Sequence, residues 1–384
     1  MFSATESDAL HSRARAFIRG SLRGEPTEPF DALALDIARF QAAHVPAIAR
    51  LAHARHTQFA HGRDASSIPA VPTDVFRLAR IAAHPRDCDV ALFRTSGTAQ
   101  GAAARGEHPL RTTETYELAA LEWGQRFLFP DRTDLRAVVL APSITELPDS
   151  SLGFMLDKFA HALQRRPTFL VHRSGAREAA IDLPGVHRAA AEARHDRHPV
   201  MVLATSFALV HLLDQAAGSR AGLDGSSRLD LRLPPGSRVM QTGGFKGKSR
   251  EVPPAQLRAQ VARAFSVPED HVVAEYGMTE MSSQLYEGTL AGALGFGPKL
   301  PHGVYVAPPW VRVSAVDPVS LEPVARGEIG IARIVDLANV DSAVALQTAD
   351  RVRVVDGGVE LLGRMPGATP RGCSLAIDEM LGRA

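Results

Sequence analysis

The chain has 384 residues, 45% hydrophobic and 22% charged, with 43 Lys and Arg against 42 Asp and Glu. That length and apolar fraction suit a globular protein of one large or two to three ordinary domains, and the balanced charge argues against a general attraction for nucleic acid or an anionic membrane surface. Two cysteines, Cys88 and Cys373, are too few for a disulfide framework or a four-thiolate metal site.

The first residues, MFSATESDALHSRARAF, carry acids where a secretory signal needs an apolar core. No apolar run approaches the roughly 18 residues of a membrane span, so a soluble cytoplasmic protein without a membrane partner is expected. Up to residue 84 the pattern is helical, as in FDALALDIARFQAAHV, where apolar residues recur at three and four. From residue 85 to 302, short β-branched runs (RAVVLAP, HPVMVLAT, RVMQT, VVAEY) alternate with helical patterns (ETYELAALEWGQRFLF, FALVHLLDQA, PAQLRAQVARAF). Such alternation predicts an α/β core with a mostly parallel, doubly covered sheet. From 303 to 362 strand follows strand, WVRVSAV, GEIGIARIV and DRVRVVDGGVELLGR, the last with a hairpin signal in its Asp-Gly-Gly centre. Residues 363–384 read as a short C-terminal tail.

The chemistry-bearing stretches follow the same order. FRTSGTAQG, residues 93–101, comes directly after the apolar run DVALF. Its Thr95, Ser96, Gly97, Thr98 and Gly101 offer hydroxyls and unhindered backbone N–H groups, as a polyphosphate requires, and equally make an ordinary surface turn. It is neither a Walker loop nor a dinucleotide fingerprint. QTGGFKGK, residues 241–248, sets Gly243 and Gly244 after a strand, where backbone can approach a flat ligand, and supplies Lys246 and Lys248 as cations. AEYGMTEMSS, residues 274–283, places the ring of Tyr276, then Gly277 and Met278, the hydroxyl of Thr279 and the carboxylate of Glu280 at a strand end. One acid there, with phosphate oxygens, suits Mg²⁺; a capped strand-end turn is the plainer reading. Asp350 in LQTADRVRV can accept two ribose hydroxyls or simply sit in a turn. Arg364 follows in LLGRMPG, and Cys373 lies in RGCSL on a glycine-flanked tail. Cys88, between Asp87 and Asp89, reads as an inert thiol, and an apolar stretch after Ser151 offers a wall for a fatty or aromatic acid.

In this order the motifs FRTSGTAQG, TGGFKGK, YGMTE, TAD and GRMPG resemble the core motifs of the adenylate-forming superfamily of acyl-CoA ligases and luciferases. The phenylalanine-arginine-threonine-serine-glycine-threonine loop and the terminal arginine-glycine-cysteine-serine resemble most closely the acyl-protein synthetases of the bacterial bioluminescence fatty acid reductase. The resemblance runs from about residue 85 to the end. It implies the large adenylate-forming domain, with mostly parallel sheets flanked by helices, a β-rich segment near the C-terminus, and a truncated or vestigial C-terminal domain.

It also implies roles. Thr95, Ser96, Gly97, Thr98 and Gly101 would wrap the phosphates of ATP. Gly243, Gly244, Phe245 and Tyr276 would sandwich adenine, and Gly277 and Met278 would continue that site. Thr279 and Glu280 would hold phosphate and Mg²⁺, Asp350 the ribose, and Arg364 would complete the nucleotide site. A carboxylic acid would become an acyl-adenylate, and Cys373 would take the acyl group as a thioester for an acyl-reductase or carrier-protein partner. A ligase acting on CoA or a carrier protein, or a catalytically silent nucleotide-binding subunit, are the alternatives. Two departures stand out. The lysine expected after the phosphate loop is absent, leaving Arg105 to stand in, and no room remains for the domain that bears the catalytic lysine, so either Lys246 or Lys248 replaces that charge, or a partner supplies it, or adenylation is slow.

Overall fold

The computed structural model describes residues 2–57, 64–95, 105–164, 166–174, 178–218, 229–243, 252–366 and 370–383. Over these the chain divides into two compact units, one of Met1–Glu122, Met278–Leu285 and Val304–Ala384, the other of Trp123–Gly277 and Tyr286–Gly303.

In the second unit the four runs expected to be strands are strands, and all pair in parallel. Val272–Tyr276 lies beside Arg238–Thr242, then Val200–Thr205, then Arg136–Leu140, then the short Thr168–Phe169. Parallel strands need crossovers, and the chain supplies helices Ser151–Leu163, Leu183–Asp196, Ser206–Gly218 and Pro254–Phe265. Their starts are legible locally. Ser150 and Asp182 accept from the backbone N–H groups of Gly153 and Gly185, each at 2.9 Å, and Pro254 opens its helix where no N–H is needed. Sheet residues Val138, Val202 and Val239 meet Val186, Leu209, Val261 and Phe265 from the helices in one core. The helix Ser151–Leu163 buries Phe154, Met155, Phe159 and Leu163. A Cβ on Gly124 would stand 2.5 Å from Phe159 Cζ, so the helix packs closely there.

The first unit carries helices Ala4–Ser21, Phe30–His44 and Pro46–Ala54 and an antiparallel ladder. Val311–Val316 pairs Ile329–Asp336, which pairs Ala345–Val355, then Gly358–Arg364, then Val304–Val306; Val71–Pro72 runs parallel beside Ala345–Val355. The hairpin signal falls where expected, with Val355 opposite Gly358 and Gly357 at φ +83°. Among the described residues, strands Ala91–Arg94 and Glu107–Leu110 pair only with each other. Residues 85–122 group with the N-terminal helices in this division, and within 363–384 residues 371–381 form the helix Arg371–Leu381. No helix among the described residues is long and apolar enough to cross a membrane.

The second unit holds a buried ion pair. In the second unit Arg258 donates to Glu287 at 2.5 Å with both side chains at most 5% exposed, and Glu287 also accepts from the amides of Ala274 (3.0 Å) and Gly303 (2.5 Å). Removing one partner strands a buried charge, which costs about 3–5 kcal/mol, against at most about 1 kcal/mol for an exposed pair. Arg258→Leu should therefore lower the urea midpoint of unfolding far more than Arg132→Leu, which breaks the solvent-facing pair with Asp134.

Candidate active site

In the second unit, pairing aligns the carboxyl ends of three parallel strands. Thr205 stands opposite Thr242, and Thr242 opposite Glu275. Ligands of open α/β sheets gather beyond such ends, and there the chain continues into Gly243 and Tyr276. Gly243 has φ +72°, and an added Cβ would meet nothing within 4 Å, so glycine is required by the backbone and leaves its face open. Glu275 is buried, and its carboxylate accepts from the Thr242 hydroxyl. Burial pushes its pKa up to about 7, outweighing that hydrogen bond. Phe245, Gly244, Lys246 and Lys248 lie outside the described residues.

In the first unit two groups form. The ladder sets Asp350 directly opposite Arg364, with a register shift between Asp350 and Val352. Asp350 lies inside the strand Ala345–Val355 rather than in a turn, and its N–H donates to the Thr348 hydroxyl at 3.0 Å. A carboxylate and a guanidinium from the two arms of one hairpin thus occupy one cross-strand position.

The second group surrounds the neck of the FRTSGTAQG loop. Thr95 N–H donates to the Gly106 carbonyl (2.9 Å), and Gly106 N–H returns a bond to the Thr95 hydroxyl (2.8 Å). Arg105 donates to the carbonyls of Thr95 (2.5 Å) and Arg94 (3.2 Å). The expected stand-in for the missing lysine thus fastens the neck. Ser96, Gly97, Thr98 and Gly101 lie outside the described residues. Two residues beyond the neck, His108 is 1% exposed and donates from Nδ1 to the Thr279 carbonyl at 2.6 Å. Burial lowers its pKa to about 4, so the ring is neutral at ordinary pH. Glu280 follows, 8% exposed, with its carbonyl accepting from Asn339 Nδ2 at 2.8 Å. Met278, Thr279 and Glu280 thereby share a unit with Thr95, Asp350 and Arg364. No cluster of three His, Cys, Asp or Glu suited to a metal exists among the described residues. One carboxylate beside a hydroxyl fits Mg²⁺ held largely by phosphate oxygens, not a metal with its own protein cage.

Cys373 stands apart from the tail expected of it. It is 3% exposed in the first turn of the helix Arg371–Leu381, against Val316, Ile331, Leu321 and Met365. Gly372 is needed because a Cβ there would stand 2.6 Å from Leu321 Cγ. Burial pushes the thiol pKa up to about 11. The seam is Cys373, Ala376 and Met380, spaced at three and four, while Leu375 is 48% exposed. His108, Asn339 and Glu275 escape the sequence reading, since a lone histidine after a loop and an asparagine in DLANVDS match no spacing rule.

No family model matches the chain, and no curated protein matches it. Solved structures do. An open conformation of 2-hydroxyisobutyryl-CoA ligase in complex with 2-HIB-AMP and CoA aligns with TM-score 0.60 at 13% identity, covering 87% of this chain and 69% of that one. The same enzyme in the postadenylation state gives TM-score 0.59 at 14% identity over 95% and 69%. ATP-bound MatB from Rhodopseudomonas palustris gives 0.48 at 16% identity, over 73% of this chain and 49% of that one. The chain spans about half the length of the MatB structures it matches. The likeness is one of fold: a mixed α/β architecture with mostly parallel central strands flanked by helices, as in the adenylate-forming ligase 2-hydroxyisobutyryl-CoA ligase.

Two outcomes follow. Between pH 4.5 and about 7 the folded chain keeps the Glu275 proton that the unfolded chain releases. The contribution to stability is complete below 4.5 and lost as pH rises through 7. Glu275→Gln, neutral throughout, should match the wild-type Tm at pH 5 and exceed it at pH 8 by roughly a few degrees. Iodoacetamide at pH 8 should label half-buried Cys88 first, with native Cys373 on the order of a hundredfold slower than in the denatured chain, as intact mass against time will show.

Proposed function

We propose that this chain uses ATP to activate a carboxylic acid as an acyl-adenylate and then passes the acyl group to a thiol. The observation that carries the reading is the pairing of Asp350 with Arg364 in one cross-strand position, in a unit that also holds the Thr95 neck and Thr279–Glu280. A fold shared with a ligase whose structure contains an acyl-AMP supports it.

In the first step a carboxylate oxygen of the acid attacks the α-phosphorus of ATP; the bond to the bridging oxygen breaks and pyrophosphate leaves. Thr95, Ser96, Gly97, Thr98 and Gly101 bind the phosphates. Gly243, Gly244, Phe245, Tyr276, Gly277 and Met278 hold adenine, and Asp350 accepts from the ribose hydroxyls. Arg364 and one of Lys246 and Lys248 offset charge that builds on the phosphates, which needs positioning more than covalent chemistry. Thr279 and Glu280 would hold a phosphate-bound Mg²⁺, which would supply neutralisation of the phosphate charge.

In the second step a thiolate attacks the acyl carbon, the bond from that carbon to the bridging oxygen breaks, and AMP departs carrying that oxygen, which came from the acid's carboxylate. Cys373 is the acceptor that the resemblance implies, which would require the helix Arg371–Leu381 to leave its seam first. Burial of that sulfur and its raised pKa favour a second reading, in which the thiol belongs to CoA or to a carrier protein. The acid is fatty or aromatic in character, and an acyl-reductase is a fitting consumer of a thioester product.

Exchange of labelled pyrophosphate into ATP, dependent on an added carboxylic acid and on Mg²⁺, is the expected activity. Glu280→Gln should reduce it on the order of a hundredfold at unchanged Tm. Absence of exchange with every acid in a panel of fatty and aromatic acids would overturn the reading. A hydroxylamine-sensitive adduct lost in Cys373→Ser would assign the acceptor to the chain, whereas unchanged transfer to CoA or a carrier in that variant would assign it to the external thiol.

A further inference from the structure

The five residues from Thr279 to Ser283 are held from behind by buried side chains. His108 donates to the Thr279 carbonyl at 2.6 Å, and Asn339 Nδ2 donates to the Glu280 carbonyl at 2.8 Å. The Ser282 hydroxyl donates to Asn339 Oδ1 (2.8 Å), its N–H to Asp336 (3.0 Å), and the Ser283 hydroxyl to Asp336 (2.7 Å). Met281 N–H closes a turn on the Met278 carbonyl at 3.2 Å.

The first two bonds grip consecutive carbonyls. The Thr279 carbonyl belongs to the peptide plane entering Glu280, the Glu280 carbonyl to the plane leaving it, and each plane is rigid. Fixing both fixes φ and ψ of Glu280, hence the direction in which its side chain leaves the backbone. His108 has a second attachment of consequence. It stands opposite Phe93 in the hairpin whose loop end is the Thr95–Gly106 neck, and its ring lies edge-on to Phe76 with centroids 5.9 Å apart. One strand thus ties the phosphate loop's neck to the acid-bearing turn.

We propose that His108 and Asn339 are positioning residues which set the Thr279 hydroxyl and Glu280 carboxylate for the phosphate-bound divalent cation without touching either ligand. The assignment rests on the adenylation reading, but the clamp has a readout of its own. His108→Phe keeps a ring against Phe76 and removes the donor; His108→Asn keeps a donor at nearly the reach of Nδ1; Asn339→Leu removes the second grip.

Two measurements decide it. Hydrogen–deuterium exchange of the peptide spanning residues 278–283, in ligand-free protein, should speed up on the order of tenfold in His108→Phe and Asn339→Leu and return toward wild type in His108→Asn. ATP titrated calorimetrically with saturating Mg²⁺ and with none should show the Mg²⁺-dependent gain in affinity reduced about tenfold in the first two variants, with Mg²⁺-free affinity unchanged, and restored in the third. Wild-type amide exchange in both donor-less variants overturns the clamp. Faster exchange with an intact Mg²⁺ gain overturns the positioning role and leaves a purely structural one. If wild type binds no ATP, the adenylation reading fails, and amide exchange alone decides whether the grip exists. A variant that unfolds is replaced by its partner at the other carbonyl, so either His108→Phe or Asn339→Leu suffices.

Discussion

The buried carboxylate of Asp336 is the constraint on which the first unit depends. With no exposure to solvent it accepts from the amides of Ser282 and Ala338 and the hydroxyl of Ser283, and burial still pushes its pKa up to about 6. A charge so placed is tolerable only while all of its donors stay in position. The turn that follows it is gripped from several directions. Gln41 donates to the carbonyls of Asn339 and Val340 and accepts from Val344, Ser342 donates to Ile81, and Asp341 accepts from Ser7 and His11. Helices Ala4–Ser21 and Phe30–His44 are thus fastened to the same few residues that hold Thr279 to Ser283.

The second unit uses a different kind of order. Its rigidity comes from parallel strands buried on both faces, whose carboxyl ends align as a ledge at Thr205, Thr242 and Glu275. A neutral or half-ionised Glu275 beneath Gly243 and Tyr276 keeps that ledge free of fixed negative charge near neutral pH.

Cys373 shows where two demands meet. A thiol that accepts an acyl group needs exposure and an accessible thiolate, whereas this one contributes to a seam with Val316 and Ile331 and is pushed toward the neutral form. Arg55 pairs with Glu379 and Arg50 donates to the Met380 carbonyl, so the helix is anchored at its far end as well. Its N-terminal turn is held by Gly372 N–H on the Pro318 carbonyl at 3.1 Å, beside Leu321 at φ +62°.

What the sequence by itself determined are the features set by near neighbours in the chain. β-branched runs with intervening helical periods define the parallel strands 136–140, 200–205, 238–242 and 272–276, and Asp356–Gly357 defines its hairpin, because periodicity and turn chemistry act within a few residues. The order of the motifs was legible for the same reason, and so was glycine at 243. Tertiary structure alone decided three things. It set Asp350 opposite Arg364, a matter of register and of a bulge that no local signal encodes. It made Cys373 a core residue, since whether an amphipathic C-terminal segment docks depends on a groove built by residues 316–331. And it brought His108 and Asn339 to adjacent carbonyls of Thr279 and Glu280, because a hydrogen bond to a backbone oxygen reads no side chain on the partner and so leaves no trace in the sequence that carries it.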